Sequence, residues 1–545
     1  LMFAPKSESD IAEWVCAEYD RMSTARFNFE SQWNEVALRS DPSGKQQFGA
    51  QQFQTPGERK TSQILDSTAV IAVNRFASIL DSLLTPRNQT WHRLAVNNEE
   101  LAKNREVALW FEKVNAILFK HRYDPSANFA SQNQKDYKSL GRYGNSGLFV
   151  DDQTDKVGLR YKSVHLGSLY YDENHQGVVD RVIRAFMFTA RQAKEKWGDK
   201  LPKEVADCSD ADKQFKFLHK VCPRTDDYDS SRLDSKGMKY ASYYVLYDGK
   251  VLVSEGGYNT FPYSICRYEQ SDDEVYGRGP LMEVLPSIKT LNEQKRILLK
   301  QGHKALDPTL IAHDDGVMNG FSLKPGALNF GGVDANGRPL VHALPVGNIA
   351  VGKDLMDDER AVINDACLVS LFQILVETPT RTATEVIEIA KEKGILLAPT
   401  MGRLQSERLG SMVDRELDSL SSQGAFPPMP DILREANGDY QIYYDSPLTR
   451  AARSEEASGL MRALETALSV VNVTQDPSPL DFFDFDIAIP EIARIQGVSE
   501  KFMRDPKVVA QIRKGRADNA ATDKLIQAGP AAAAIMKAGA AQGPA

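Results

Sequence analysis

What is missing from this 545-residue sequence narrows the field first. It has no run of about 18 uncharged apolar residues, so no segment is expected to span a membrane as a helix. Its five cysteines, Cys16, Cys208, Cys222, Cys266 and Cys367, are odd in number, widely spaced and never arranged as C-x-x-C. That argues against a disulfide framework, and leaves free thiols in a reducing compartment as the expectation. The eight histidines are scattered singly, which makes a histidine metal site improbable. The first ten residues lack a basic segment followed by an apolar one, so no secretory signal is expected. Basic charge is also scarce. Sixty-six Lys and Arg face 74 Asp and Glu, a net −8. A protein that wraps DNA by neutralising phosphates should be basic, so the chain as a whole does not read as a sequence-independent DNA binder. A local basic stripe remains open.

Catalytic signatures are absent too. The three Gly-Lys pairs continue to Gln46, Val251 and Asp354, so none is a phosphate-binding loop of the G-x-x-x-x-G-K-[ST] type. Tyr276-Gly277-Arg278-Gly279 begins like a dinucleotide fingerprint, but Met282 stands where its third glycine belongs. Gly144-Asn145-Ser146-Gly147 is one residue short of a nucleophile elbow, and no H-E-x-x-H occurs. No cofactor or metal is expected. The best carboxylate cluster is Asp481, Asp484 and Asp486. It reads either as a divalent-cation site or as a loop whose acids cap the following helix.

What is present is globular. Hydrophobic residues make up 42% and charged residues 26%, too apolar for wholesale disorder. The length allows three to four folding units. Periodicity predicts helices over 10–39, capped by Ser9 or Asp10, over 64–84 and over 99–120. Segments 157–164, 178–189, 240–247 and 251–254 read as strands, with Tyr247-Asp248-Gly249-Lys250 as a hairpin turn. A long helix over 281–305 carries Pro286 one turn in, where it does least damage. Turn dipeptides Asp315-Gly316, Pro325-Gly326 and Asn336-Gly337 then mark a small β module between Pro308 and Pro345. A second long helix is expected over 354–375, capped by Asp354 and apolar around Leu368, Leu371, Phe372 and Leu375. A third, opened by the capping box Thr382-Ala383-Thr384-Glu385, should run to Ser422 with a kink at Gly394 and Pro399. Further helices are expected over 451–473 and within 499–527, and the Ala/Gly-rich tail from Gly529 should fray. The fold class is α+β, mostly helical.

One basic stripe stands out. Lys289, Arg296, Lys300 and Lys304 sit at offsets of 0, 7, 11 and 15 on the first long helix, which places them on one narrow face. Such a face could follow a phosphate backbone, or pair with acids on a neighbour.

The central layout, together with four motifs in order, makes the chain recognisable. The first is Ile64-Leu65-Asp66-Ser67-Thr68, with the helix to Leu84-Thr85-Pro86 and then Trp91. The second is Tyr276-Gly277-Arg278-Gly279-Pro280, opening a helix with Leu291-Asn292. The third is Thr382-Ala383-Thr384-Glu385-Val386. The fourth is Gly402-Arg403-Leu404-Gln405-Ser406-Glu407, followed by Gly424-Ala425-Phe426-Pro427. Over roughly residues 10 to 500 the sequence resembles the head-to-tail connector, or portal, family of short-tailed (podovirus) bacteriophages.

The resemblance implies a portal-type fold. Its wing would be residues 1–275 with 385–447, its stem helices 276–305 and 349–375, its clip 306–348, its tunnel loop 376–384, and its crown and tail 448–545. It also implies a ring of twelve subunits at one capsid vertex, through which double-stranded DNA passes without sequence preference. Implied partners are the major capsid and scaffolding proteins, a separate terminase packaging motor, and a tail adaptor. Assembly in the bacterial host cytoplasm and a place in the virion follow, with no membrane and no enzymatic activity. Candidate DNA-channel residues are then Lys289, Arg296, Lys300, Lys304 and Arg381. Glu377, Thr378, Pro379 and Thr380 form the tunnel loop. Two other readings are a nucleic-acid hydrolase with an acidic metal site near Asp484, and a virion structural protein without a channel.

Overall fold

The computed structural model describes residues 7–42, 48, 63–98, 101, 104–225, 228–229, 231–312, 322, 324–345, 349–370, 401–435, 440–444, 447–475, 478–495, 502–504, 508–516 and 519. They fall into two compact units. The first is residues 1–88 with 120–425, and the second is 89–119 with 426–545.

The first unit opens with two helices where periodicity predicts one. Helix α1 (Glu8–Ala25) is capped by Ser7, whose hydroxyl accepts the Asp10 amide at 3.2 Å, rather than by Ser9 or Asp10. It ends at Arg26, which leaves helical geometry at φ −95°, ψ 7°, and α2 (Phe27–Ser40) follows. The break has a polar cause that apolar spacing cannot register. The Arg26 guanidinium turns inward and donates to the carbonyls of Leu166 (3.1 Å), Gly167 (2.8 Å) and Leu169 (2.8 Å), and it pairs with Glu30. Helix α3 (Thr68–Leu84) is apolar on most sides and stops before Pro86. It packs on α5 (Phe129–Tyr143).

Two antiparallel sheets form the body of this unit. The smaller runs in the order β3 (Leu159–Ser163), β2 (Asn145–Asp152), β9 (Tyr263–Arg267). The larger runs β4 (Leu169–Glu173), β5 (Val179–Thr189), β6 (Gln214–Pro223), β7 (Tyr240–Leu246), β8 (Val251–Tyr258). Strands β7 and β8 join at the expected hairpin, with Lys250 taking the positive φ of 48°. One face of the larger sheet, bearing Ile183, Ala185, Leu218 and Val245, meets Ala12, Val15, Cys16, Tyr19 and Met22 of α1. The other face, with Phe215, Phe217, Leu246 and Val253, meets Ala190, Ala193 and Trp197 of α6 (Ala190–Trp197) and Val205 of the short α7 (Lys203–Ala206). Each large apolar side chain buried this way contributes about 1.5–3 kcal/mol.

From this body a helical hairpin leads to the small β module. It comprises α8 (Pro280–Glu283), α9 (Leu285–Leu306), strands β10 (Leu310–Ala312) and β11 (Val341–Ala343), and α10 (Ile349–Ala366). Pro286 occupies the first turn of α9, as expected. The second helix departs from expectation at both ends. It starts at Ile349 rather than Asp354, and it stops at Ala366 rather than Leu375. Leu368 adopts the left-handed region at φ 59°, and its amide bonds back to Asp365. A left-handed leucine costs about 1–2 kcal/mol and carries no sequence signature. Leu371, Phe372 and Leu375, the capping box at 382–385 and the expected kink at Gly394 and Pro399 lie outside the described residues. Residues 401–403 are helical, with one widened π-type turn over Leu404–Gly410 before α11 (Ser411–Ser422).

In the second unit β1 (His92–Ala95) pairs antiparallel with β12 (Gln441–Tyr444), so segments far apart in the sequence are neighbours. Most of α4 (Arg105–Arg122) lies beside them. Asn115 accepts the Leu94 amide at 3.3 Å, and Trp110 donates its indole N–H to Pro427 at 3.1 Å. The unit continues through α12 (Asp431–Glu435), α13 (Pro447–Thr474) and α14 (Phe485–Ile495). Residues 508–516 are helical, and the tail from Gly529 lies outside the described residues.

Candidate functional site

The two near-miss motifs are one packing device. Gly144 lies at φ 70°, and a Cβ there would strike the backbone of Arg278 and Gly279. Between the two segments sits Asn145, fully buried. Its amide donates to Gly277 O (2.9 Å) and Tyr143 O (2.7 Å), while its oxygen accepts the Gly277 amide (2.7 Å) and the Tyr171 hydroxyl (2.6 Å). The glycines thus serve backbone-to-backbone contact and not a phosphate. This joint fixes the chain just before α8 and α9, and so sets where the long helix points.

A second clasp holds the long helices at their base. Asn292 accepts the amides of Leu65 (2.8 Å) and Asp66 (3.1 Å) and donates to Ile288 O (2.8 Å). Asp66 in turn binds Thr68 N (2.9 Å) and the Arg360 guanidinium of α10 (2.6 Å). Burial alone would raise the Asp66 carboxyl, but the hydrogen bonds from Thr68 and Arg360 hold it below its ordinary value. The Ile64–Thr68 and Leu291-Asn292 motifs therefore meet in space. Glu407, from the Gly402–Glu407 motif, acts likewise, accepting Arg267 at 2.9 Å while Glu173 takes the same guanidinium at 2.6 Å.

Beyond Asn292 the helix emerges. Ile297, Leu299 and Leu306 are 49%, 48% and 88% exposed on α9, and Leu355 and Val362 are exposed on α10. The basic stripe begins before Asn292, at Lys289, and runs on along this stretch. Lys289 pairs with Glu35 of α2 at 3.0 Å, and that hydrogen bond holds the Glu35 carboxyl low. Arg296 pairs with Glu293 at 3.1 Å. Lys300 and Lys304 are exposed and form no ion pair among the described residues. Arg381, Glu377, Thr378, Pro379 and Thr380 lie outside the described residues.

The β module is held by turns rather than a core. Asp334 accepts the amides of Asn336 (2.9 Å) and Arg338 (2.8 Å), with Gly337 at φ 75°, and Asn329 brackets Ser322 from both sides. Leu328 and Phe330 stand 78% and 85% exposed. In the acidic cluster, Asp484 accepts the Asp486 amide at 2.9 Å at the start of α14, and Asp486 pairs with Arg513 at 2.7 Å. This is the capping arrangement. Among the described residues no group of three His, Cys, Asp or Glu is placed to hold a metal ion. No described helix is long and apolar enough to cross a membrane.

Comparison with known proteins agrees with the motif order. A family model for the bacteriophage head to tail connecting protein matches residues 14–503. A portal protein of Salmonella phage epsilon15 is 27% identical over 532 residues, spanning 96% of this chain and 94% of that one. A probable portal protein of Bordetella phage BPP-1 is 26% identical over 515 residues, spanning 92% and 91%. Among solved structures, the virion of a native gene transfer agent particle aligns at 10% identity and a TM-score of 0.34, covering 72% of this chain and 84% of that one. The neck of the native particle, computed with C12 symmetry, aligns at 11% identity and 0.35, covering 72% and 86%.

Proposed function

We propose that this chain, which belongs to the bacteriophage head to tail connecting protein family, does its portal work as a ring of twelve copies at one capsid vertex. The observation that carries the ring is the paired α9 and α10 hairpin. It packs on itself, yet leaves Ile297, Leu299, Leu306, Leu355 and Val362 in water. Apolar side chains on both helices of a projecting hairpin are what neighbouring hairpins would cover. In this reading the α9 and α10 helices form the stem around an axial channel. Residues 1–275 with 385–447 make the wing, 306–348 the clip and 448–545 the crown, and 376–384 narrow the lumen.

Double-stranded DNA slides through such a channel, so tight phosphate contacts would brake it. A net −8 per subunit with a few cations, Lys300 and Lys304 foremost, suits passage better than capture. The clip, with Leu328 and Phe330 presented, is the surface for a packaging motor and later a tail adaptor. Capsid and scaffolding proteins would meet the outer parts of the ring, which assembles in the host cytoplasm and stays in the virion. The family is a structural one, and in this reading the chain catalyses nothing.

Sedimentation of the purified protein tests the ring directly. A species near twelve times 60.6 kDa is expected. Leu299→Asp, which would bury an unpaired charge between hairpins at a cost of several kcal/mol, should leave monomers or aggregates. A ring that survives that substitution removes the hairpin from the interface.

A further inference from the structure

Away from the hairpin, the first unit gathers three cations on one face. Lys162 on β3, Arg184 on β5 and Lys196 at the end of α6 act on one another electrostatically. Register explains how they meet. Lys162 lies directly opposite Phe149, while Arg184, His219 and Tyr244 form a cross-strand row on the larger sheet. Phe149 and His219 are in edge contact at 5.9 Å, which brings the two sheets' facing rows together. The Arg184 guanidinium lies 5.9 Å from the Phe149 ring and 5.1 Å from Phe186, and the Lys196 ammonium sits 4.2 Å over Tyr244. Lys162 and Lys196 are reachable by solvent, and Arg184 is half-buried.

Among the described residues this charge is balanced only in part. Among the described residues no carboxylate lies within ion-pair distance of any of the three. Asp151 of β2 acts on Lys196, and it is shared with Arg415 of α11. Arg415 is itself paired with Asp418 at 3.1 Å. Burial first, then Arg184 and Lys196, drive the Lys162 ammonium down to about 8. His219, between Tyr263 (2.7 Å) and Ser242 (2.9 Å), is held neutral by burial and by the same two cations. Burial also keeps the phenols of Tyr244, Tyr258 and Tyr263 protonated. The side chains between the cations are therefore uncharged and mostly aromatic, and of the three cations only Lys196 is acted on by an acid. Like charges held together with too few counter-charges work against the fold.

We propose that Lys162, Arg184 and Lys196 form a binding site for one phosphate-class oxyanion. A guanidinium fork and two ammonium groups supply the donors that a tetrahedral oxyanion accepts. The bound anion ties β3, β5 and α6 across the seam between the sheets.

The test uses the purified full chain at pH 7 and fixed ionic strength, with inorganic phosphate replacing chloride. A saturable rise in melting temperature at millimolar phosphate is expected, as for any ligand that binds only the folded state. Lys162→Gln should melt at or above the parent temperature without phosphate, because a repulsion is relieved, while Lys196→Gln also gives up its contact with Tyr244 and should melt lower; both should lose the phosphate response. Sulfate, whose charge is constant, separates out the lysines. Its affinity should fall by about tenfold between pH 7 and 9 as the unliganded Lys162 loses its proton. A short oligothymidylate that displaces phosphate assigns the oxyanion to a nucleic-acid backbone, and failure to displace it assigns free phosphate. The proposal is overturned by an unsaturable response, by an equal response in both variants, by sulfate binding that is flat with pH, or by an oligoglutamate that binds more tightly than phosphate.

Discussion

Glu416 on α11 holds the guanidinium of Arg122 from 294 residues away, with both side chains wholly out of solvent and Arg122 Nε 3.0 Å from Glu416 Oε1. The Tyr161 hydroxyl donates to the same carboxylate at 2.6 Å. A parallel pair joins Arg408, in the π-type turn, to Asp136 at 2.8 Å, again fully buried. The π-type turn and α11 are thus bolted to α5 and to the end of α4 by charge, and to the small sheet by the Tyr161 hydroxyl, rather than by apolar packing alone. A buried pair adds little over an apolar replacement, but removing one partner strands a charge.

Glu416→Gln is therefore expected to lower folding stability by about 3–5 kcal/mol, because the Arg122 charge keeps its burial and loses its counter-charge. Denaturant unfolding followed by tyrosine and tryptophan fluorescence measures it. A midpoint within error of the parent would mean that water or another acid satisfies Arg122.

The joint between Gly144 and Gly279 gives a paired experiment. Gly144 and Gly177 both lie at positive φ, 70° and 76°. A Cβ at Gly177 meets nothing within 4 Å, whereas one at Gly144 meets the Arg278 and Gly279 backbone. Gly177→Ala should cost about 1 kcal/mol, the left-handed penalty alone. Gly144→Ala should cost clearly more, since backbone must move. Equal melting-temperature losses for the two would refute the close-approach argument.

How legible this was in the sequence follows from what each signal measures. Apolar spacing located α3 and α9, whose buried faces follow a period. It missed β2 and β9, because Asn145–Val150 and Tyr263–Arg267 are buried on both faces and so do not alternate. It fused α1 and α2, because the break rests on Arg26 finding three carbonyls 140 residues away. The four motifs were readable as a pattern, but their cause was not. Asn292 and Asp66, Asn145 and Gly277, and Glu407 and Arg267 are contacts between distant segments. The basic stripe was readable by spacing. That Lys289 and Arg296 are already paired, leaving Lys300 and Lys304 open among the described residues, depends on where the fold brings Glu35 and on the rotamers of α9.

Acidity should act on the base of the hairpin with two opposite signs. Burial first, then the hydrogen bond and charge of Glu269, push the Glu283 carboxyl from 4.5 up to about 7. A carboxyl raised by folding contributes stability that is fully present below 4.5 and is lost as pH rises through about 7. Asp66 is depressed, so its contribution is present above 3.8 and is lost as pH falls below that. Melting temperature should therefore decline from pH 5 to 8, and Glu283→Gln should flatten that decline without touching the loss below pH 4. Glu283 stands partly in water, so the slope is shallow. An unchanged slope in the variant would assign the decline elsewhere.

The sharpest functional test concerns Lys300 and Lys304, since the other two cations of the stripe already have acids, Glu35 at 3.0 Å and Glu293 at 3.1 Å. If the open pair faces DNA in the ring, Lys300→Gln with Lys304→Gln should leave the sedimenting assembly intact. It should then change the amount or rate of DNA packaged and weaken its dependence on salt, because each phosphate contact removed takes about 0.9 from the logarithmic salt slope. If the pair instead meets acids of a neighbouring subunit, the same double substitution should weaken the ring itself. The two outcomes separate on one sedimentation run before any packaging assay. Lys289→Gln is the internal control. Its loss should leave Glu35 to Arg39 alone, raise that carboxyl part of the way toward its ordinary value, and leave packaging as it was. A packaging defect from Lys289→Gln equal to that of the open pair would show that the stripe acts through the stability of α9 rather than through contact with a phosphate.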